Sequence, residues 1–426
     1  ILLGPLVLVL LHFFLAKTRW GILVRAASED REMAGALGVN QKWLYTGVFA
    51  LGAMLAGLGG ALQIPREPAT LNIDLSVISD AFVVVVVGGL GSIPGAFLAA
   101  LLIAEAKAFC IGLGISQATL VMEFIIMAAV LVLRPWGLLG RAQSAARSPG
   151  LAEAPLEYPS NRLLGGGAAL LALLALAPLA STGYSLVLLT DILIFALFAV
   201  SLHFIMGPGG LYSFGHAAYF GLGAYAAGIA VLRGGLPMEL ALALAPLAAG
   251  LGALAFGWFC VRLSGVYSAM LTLAFAQIAW SAAFQWDALT GGSNGMVGVW
   301  PAPWLASKTA YFFLTLVLCA SAILFLWRAI YAPFGFALRA ARDSPLRSAA
   351  SGIDVRATQW LAFTIAGLAA GIAGALYAFS KGSISPETLG IQRSVDGLVM
   401  VMLGGIQTLS GPVWGAALFG WLQDAA

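Results

Sequence analysis

The chain has 426 residues, 61% of them hydrophobic and only 9% charged, against about 25% charged in an ordinary soluble domain. Its 21 basic and 18 acidic residues leave a net charge of +3, too little to argue for a nucleic-acid partner. Three scattered cysteines, at 110, 260 and 319, are too few for a disulfide framework or a zinc site, and apolar runs of roughly 20 residues point to helices rather than the short alternating strands of a barrel.

In chain order, residues 1–16 read as a span and 17–42 as a polar segment with Lys17, Arg19, Arg25, Arg31 and Lys42. Residues 43–64 form a second span. The apolar stretch 77–110 is interrupted by Gly88-Gly89-Leu90-Gly91-Ser92-Ile93-Pro94-Gly95, and 115–133 is a span that ends at Arg134-Pro135-Trp136-Gly137. Residues 141–162, rich in Ala, Ser, Pro and Gly, are the one long stretch of plainly non-membrane composition and divide a unit 1–140 from a unit 163–426. Further spans fall near 163–180, 185–206, 212–232, 239–262, 265–285 and 309–327. A loop at 286–308 carries Trp286, Trp300 and Trp304, as an interfacial segment does. A second polar segment, 328–356, precedes a span at 357–379 and a glycine-broken stretch at 391–423. The chain begins inside one apolar run and stops just after another, so incomplete ends are expected.

Basic residues orient the spans. The segments 17–42 and 328–356 each hold five Lys or Arg, and the linker region adds Arg141, Arg147 and Arg162. All three are expected in the cytoplasm. If 43–64 runs outward and 115–133 runs inward, the stretch 77–110 starts and finishes outside. A straight helix cannot do that, whereas two half-helices broken at Gly88–Gly95 can, provided the broken backbone is buried in protein or lines a cavity.

The two polar segments repeat. Gly21-Ile22-Leu23-Val24-Arg25-Ala26-Ala27 aligns with Gly335-Phe336-Ala337-Leu338-Arg339-Ala340-Ala341, 314 residues on. The same offset places Gly38 on Gly352, Asn40 on Asp354, Gly57 on Gly371 and Gly60 on Gly374; an offset of 316 places Asp80 on Asp396 and Gly88-Gly89 on Gly404-Gly405. Matches at polar positions imply two homologous membrane units, the first without counterparts of 163–327.

Each polar segment offers a short helix, near 25–37 and 339–350, tied at both ends to membrane helices. Such a helix can transmit a push from a soluble partner, with Arg25 and Arg339 pairing to acidic groups or helix C-termini; a basic loop at the anionic lipid surface is the plainer alternative. Small residues four apart (Ala53/Gly57, Ala56/Gly60, Gly367/Gly371, Ala370/Gly374, Ala217/Gly221, Ala224/Gly228) let helices approach closely. The lead-in Gly207-Pro208-Gly209-Gly210 to Gly215-His216 leaves helix N–H groups that either hold an anion or turn the chain, and His216 is expected either to pack against a backbone carbonyl or to serve the mechanism. Asp80 and Asp396 are expected either to cap half-helices or to serve translocation; Glu105, Lys107, Glu123 and Asp191 also lie in or near apolar stretches. There is no Gly-x-x-x-x-Gly-Lys-Ser/Thr loop and no His-Glu-x-x-His, so neither a catalytic centre, nor a metal site, nor an ATP site of its own is expected.

At these residues the chain resembles the permease subunits of the branched-chain amino acid ABC transporter family, of the LivH and LivM types. Residues 1–140 resemble the back half of a LivH-type subunit at Arg25-Ala26-Ala27 through Gly38-Val39, Val87 through Gly95, and Arg134-Pro135-Trp136-Gly137. Residues 163–426 resemble most of a LivM-type subunit at Gly215-His216-Ala217-Ala218-Tyr219-Phe220-Gly221, Leu338-Arg339-Ala340-Ala341-Arg342-Asp343-Ser344-Pro345, and Met402-Leu403-Gly404-Gly405-Ile406. The resemblance implies an ABC importer permease with two homologous units and glycine-broken re-entrant helices, multi-pass in a bacterial or archaeal plasma membrane. It implies two cytoplasmic ATPase subunits, which use ATP and Mg, docked at Arg25, Ala26, Glu29 and Gly38 and at Arg339, Ala340, Asp343 and Gly352. It also implies a periplasmic or extracellular substrate-binding protein that delivers the solute. Positions near the helix breaks, Asp80, Gly88, Gly89, Gly91, Gly215, His216, Gly221, Asp396, Gly404 and Gly405, become candidates for the translocation path. Branched-chain or other hydrophobic amino acids are the expected cargo, with urea or short amides as the alternative. The rival from another class is an ion-coupled secondary transporter, which also uses broken helices and repeats.

Overall fold

The computed structural model describes residues 3–65, 68, 70, 73–140, 161–180 and 183–425. The proposed linker 141–162 therefore lies outside the described residues, apart from 161 and 162 at a helix start. The described chain is helical but for one two-residue antiparallel pair.

The helices in chain order are α1 Leu3–Lys17, α2 Arg19–Glu29, α3 Arg31–Ala36, α4 Gln41–Gln63, α5 Ile73–Gly88, α6 Ile93–Gly112, α7 Thr119–Leu133, α8 Asn161–Ala180, α9 Gly183–Met206, α10 Ala217–Leu232, α11 Met238–Cys260, α12 Val266–Gln285, α13 Asp287–Thr290, α14 Lys308–Tyr331, α15 Pro333–Asp343, α16 Pro345–Ala350, α17 Val355–Lys381, α18 Ile391–Gly404 and α19 Gly411–Ala425. The strands are β1 Met296–Val297 and β2 Ser383–Ile384. Among the described residues seven helices, α4, α6, α9, α11, α12, α14 and α17, are long and apolar enough to cross a membrane, and α1 with α2 makes an eighth candidate bent by 75°. Shorter apolar helices accompany them. In lipid this is the architecture that satisfies every backbone N–H and C=O within the chain itself.

Two compact units emerge: residues 1–104 with 136–141, and 105–135 with 142–426. Helix α6 starts in the first and ends in the second.

The core of the larger unit is built on α9, α10, α11 and α17. Small residues make it close. On α10, a Cβ added at Gly223 would lie 2.5 Å from the Gly371 Cα; on α17, one added at Gly374 would lie 1.8 Å from the Phe220 carbonyl oxygen. Gly367 meets Ala253 on α11 in the same way. The four-residue spacing of small residues thus sets a backbone-to-backbone contact worth van der Waals energy rather than hydrophobic transfer. Large side chains, among them Phe198, Phe204, Phe220, Phe312, Phe363 and Phe379, fill the remaining interior. At one end of this unit β1 pairs with β2 (Met296 opposite Ile384), and Gly298 and Val299 N–H both donate to the Gly382 carbonyl. The tryptophan loop is therefore clamped to the end of α17, with Trp286, Trp300 and Trp304 exposed.

Two spans start later than their apolar character suggests. Residues 212–216, expected within a span, are not helical, and α10 begins at Ala217. The stretch before α7 is a short 3₁₀ turn, Ser116–Ala118. Hydropathy reports burial, and a buried extended segment is as apolar as a helix.

Candidate functional site

The two polar segments fold into the same elbow. In each, a helix of 11 residues (α2, α15) is followed by one of six (α3, α16), a turn and a long apolar helix (α4, α17). The stabilising bonds recur 314 residues apart. Asp30 N–H donates to Ala26 O, and Ser344 N–H to Ala340 O; Val39 N–H donates to Ala34 O, and Ile353 N–H to Ser348 O. Gly38 and Gly352 sit at φ +85° and +84°, the left-handed conformation that ends a helix cheaply only with glycine. Asn40 then caps α4 by accepting from Trp43 N–H at 3.3 Å, and Asp354 caps α17 by accepting from Ala357 N–H at 3.0 Å. Each elbow is entered over a glycine pressed on the preceding carbonyl: a Cβ at Gly21 would lie 2.3 Å from Leu15 O and one at Gly335 2.1 Å from Ile330 O. Arg25, Ala26 and Glu29 are exposed, as is Asp343, while Arg339 and Ala340 are half-buried. Apolar side chains stand out from both elbows, Leu37 with 78% exposure and Leu346 with 77%, together with the aligned pair Ile22 and Phe336.

The glycine breaks also match, at an offset of 316. A Cβ at Gly95 would lie 2.1 Å from Gly88 O; one at Gly411 would lie 2.1 Å from Gly404 O. Ser92 Oγ sits beside Gly95 and Thr408 Oγ1 beside Gly411, each 2.8 Å or less from that imagined Cβ. Gly89 and Gly405 take φ +98° and +92°. In the larger unit Gly415 also lies on Met400 O, so α18 and α19 run antiparallel as a tight hairpin. In the smaller unit the turn is closed by the segment after Pro135: Leu138 N–H donates to Val87 O and Leu139 N–H to Gly88 O, while Gly137 and Gly140 abut Gly89. The broken backbone is thereby satisfied by protein. Gly91 is exposed with open space around its Cα.

One expectation is corrected. Asp80 is the eighth residue of α5 and Asp396 the sixth of α18, so neither caps its half-helix; a cap must stand before the first turn to reach its free N–H groups.

In the larger unit the elbow, the end of α9 and the hairpin turn meet. Arg342 Nη1 on α15 donates to Gly207 O at 2.7 Å, just past the last turn of α9, where a cation faces unpaired carbonyls. One turn back along α9, His203 Nε2 donates to Ile406 O at 2.7 Å, in the turn between α18 and α19. Arg339, Arg342, His203, Gly207, Ile406 and Gln407 line a small cleft of ≈ 60 Å³ there. A lone histidine one turn from a helix end gives no sign in the sequence of a carbonyl 203 residues away.

His216 is fully buried just before α10. Its partner is a hydroxyl rather than the expected carbonyl: Ser201 Oγ lies 2.9 Å from Nε2. Because Ser201 gives its proton to Phe198 O at 2.7 Å, Nε2 carries the proton and Nδ1 is left an acceptor, without a partner among the described residues. Two N–H groups of the Gly215 lead-in are occupied within the chain. Phe214 N–H donates to Thr272 Oγ1 and Ala217 N–H to Ser394 Oγ, bonds that hold the turn of the chain into α10. Gly221 packs on Leu389. Lys107 and Glu123 form an ion pair at 2.6 Å, and Asp191 pairs with Lys381 at 2.6 Å. Lys381 and Arg393 went unnoticed in the sequence; each stands at a helix end beside polar residues, where a charge looks ordinary. Among the described residues no group of three or more His, Cys, Asp or Glu is placed to hold a metal ion.

Comparison with known proteins returns one family. Its model, described as branched-chain amino acid transport system / permease component, matches residues 2–133 and 184–426. Among curated relatives, the high-affinity branched-chain amino acid transport system permease protein BraD of Pseudomonas aeruginosa is 35% identical over 135 residues, 31% of this chain and 44% of that protein. The corresponding LivM of Escherichia coli is 29% identical over 242 residues, covering 50% and 57%. A probable LivH of Methanocaldococcus jannaschii is 32% identical over 143 residues, covering 32% and 45%. The chain spans about half the length of the curated relatives it matches. No solved structure matches it.

Proposed function

We propose that this chain, which belongs to the family of branched-chain amino acid transport permeases, forms the membrane pathway of an ATP-driven importer in a bacterial or archaeal plasma membrane. Its cargo is a branched-chain or other hydrophobic amino acid, the class named in its relatives. The observation that carries this reading is the pair of elbows. Each is a short rigid unit fixed at both ends to apolar helices, with the same bonds in the same order.

The elbows dock two separate ATPase subunits, which bind ATP and Mg. Arg25, Ala26, Glu29 and Gly38 form one dock, and Arg339, Ala340, Asp343 and Gly352 the other. The exposed Leu37 and Leu346 supply apolar anchors on otherwise polar segments, as docking helices need. A binding protein delivers the solute on the opposite face. The matched glycine turns support two homologous units, 1–140 and 163–426, each with a re-entrant pair of half-helices (α5 and the start of α6; α18 and α19). In the larger unit the Arg342–Gly207 and His203–Ile406 bonds run from the elbow through α9 to the re-entrant turn. An elbow moved by ATPase closure therefore pulls on the broken backbone. The candidates Asp80, Gly88, Gly89, Gly91, Gly215, His216, Gly221, Asp396, Gly404 and Gly405 support the path mostly by close packing and turn geometry.

The test is reconstitution with the partner ATPases and binding protein. Hydrolysis stimulated only by leucine-loaded binding protein supports the importer and its cargo. Transport that persists without ATPases, driven by an ion gradient, overturns it.

A further inference from the structure

Four charged side chains converge near the end of the larger unit away from its elbow. Asp191 and Phe195 lie one turn apart on α9, Tyr377 and Lys381 one turn apart on α17, and Arg393 and Asp396 three residues apart on α18. Lys381 holds Asp191 at 2.6 Å and stands 5.8 Å above the Tyr377 ring. The Arg393 guanidinium lies over two neighbouring rings, 5.1 Å from Phe195 and 5.5 Å from Tyr377, and reaches Asp396 only at 3.5 Å. Phe220 completes the aromatic wall, 5.4 Å from Tyr377 and 6.4 Å from Phe195.

Two features make this more than a buried salt-bridge network. The four side chains are 13–36% exposed, so the cluster borders the surface while its inner atoms are buried, where an unmade bond is costly. Two valences of opposite kind are unmade: Arg393 Nε–H has no acceptor and Asp191 Oδ1 has no donor among the described residues, although both atoms are buried. A simple anion or cation would fill one and repel the partner of the other, since the two cations and two carboxylates sum to zero. A zwitterion fills both.

We propose that this cluster is a transit site for a zwitterionic amino acid with an apolar side chain. The ligand carboxylate accepts from Arg393 Nε and its neighbouring Nη, the ammonium donates to Asp191 Oδ1, and the side chain lies beside Tyr377 and Phe195, which Phe220 backs from the interior. Asp396 and the flanking rings position Arg393, and Lys381 fixes the Asp191 carboxylate. The site deepens the importer reading and rests on it for the choice of leucine as probe.

The experiment measures the Tm of the purified full chain in nanodiscs with increasing L-leucine, 4-methylpentanoate (no ammonium) and 3-methylbutylamine (no carboxylate). Leucine should raise Tm in step with the logarithm of its concentration above saturation, while neither analogue does so at matched concentration. Arg393→Gln and Asp191→Asn should each weaken the response about tenfold or more, and Arg393→Lys, which keeps the charge and loses the fork, should fall between. If Asp191→Asn does not fold because Lys381 loses its partner, the Arg393 pair decides. A wild-type chain with no leucine response, an analogue acting as well as leucine, or Arg393→Gln responding like wild type overturns the site. Leucine-dependent stimulation of the partner ATPases reports the importer reading separately and survives all three of those results.

Discussion

At the level of single residues, the glycines divide into those that carry contacts and those that do not. Gly88 and Gly404 have backbone atoms of the following half-helix within 2.4 Å of where a Cβ would stand, and backbone cannot swing aside as a side-chain tip does. Alanine at either position should destabilise the chain by at least about 2 kcal/mol, the upper part of the range for overpacking. Gly57 on α4 meets nothing within 4 Å among the described residues, so Gly57→Ala should be neutral or stabilising by up to about 1 kcal/mol through helix propensity. Thermal unfolding of the three variants in one detergent checks both directions. The sequence cannot make this distinction. Gly57 aligns with Gly371, yet Gly371 is pressed against Ala249 and Pro246 of α11. Identical spacing of small residues reports what a helix can accept, and the partner decides whether the space is used. For the same reason Asp80 and Asp396 are legible as a matched pair, while the capping alternative fails: alignment fixes correspondence, whereas the position of the first helical turn depends on bonds the alignment does not contain.

The elbows were the most legible elements, because their determinants are local. A basic amphipathic helix, a glycine turn and an Asn or Asp cap lie within about 30 residues of one another, and each states its own geometry. What they connect to was not legible. Arg342 and Gly207 are 135 residues apart, His203 and Ile406 are 203 apart, and neither pair belongs to a motif. Under the proposed function these two bonds assign the elbow of α15 and α16 a specific mechanical role. Arg342→Met keeps the length of the side chain and removes the bond to Gly207 O. If α15 moves the hairpin through α9, this variant should assemble with its ATPases at wild-type affinity and hydrolyse ATP, with solute uptake per ATP reduced by about tenfold. His203→Gln, which retains an N–H for Ile406 O, should uncouple less than His203→Leu, which strands that carbonyl at a cost of about 1–3 kcal/mol. Parallel assays of ATP hydrolysis and uptake in the same vesicles separate uncoupling from loss of protein. Equal coupling ratios in all variants would remove α9 from the transmission path.

For the molecule as a whole, two elbows in one chain have a stoichiometric consequence. The chain carries two elbows, each with its own turn, cap and exposed apolar side chain, and the proposed function makes each of them a dock. A single chain should therefore bind two ATPase subunits, and native mass spectrometry of the purified complex should show a 1:2 ratio. The two docks differ in exposure, since Arg25 is open and Arg339 half-buried, so they should not respond alike to charge reversal. Arg25→Glu changes an exposed side chain and should remove one ATPase while leaving the chain's own Tm within about 1 °C, as surface substitutions do. Arg339→Glu also disturbs the cleft beside Arg342 and His203 and should lower both Tm and occupancy. The double variant should bind none. A ratio of 1:1 in the unmodified chain, insensitive to Arg25→Glu, would mean that only the second elbow docks and that the first is a basic loop at the lipid surface. In that case the second ATPase of a working importer must come with a second chain.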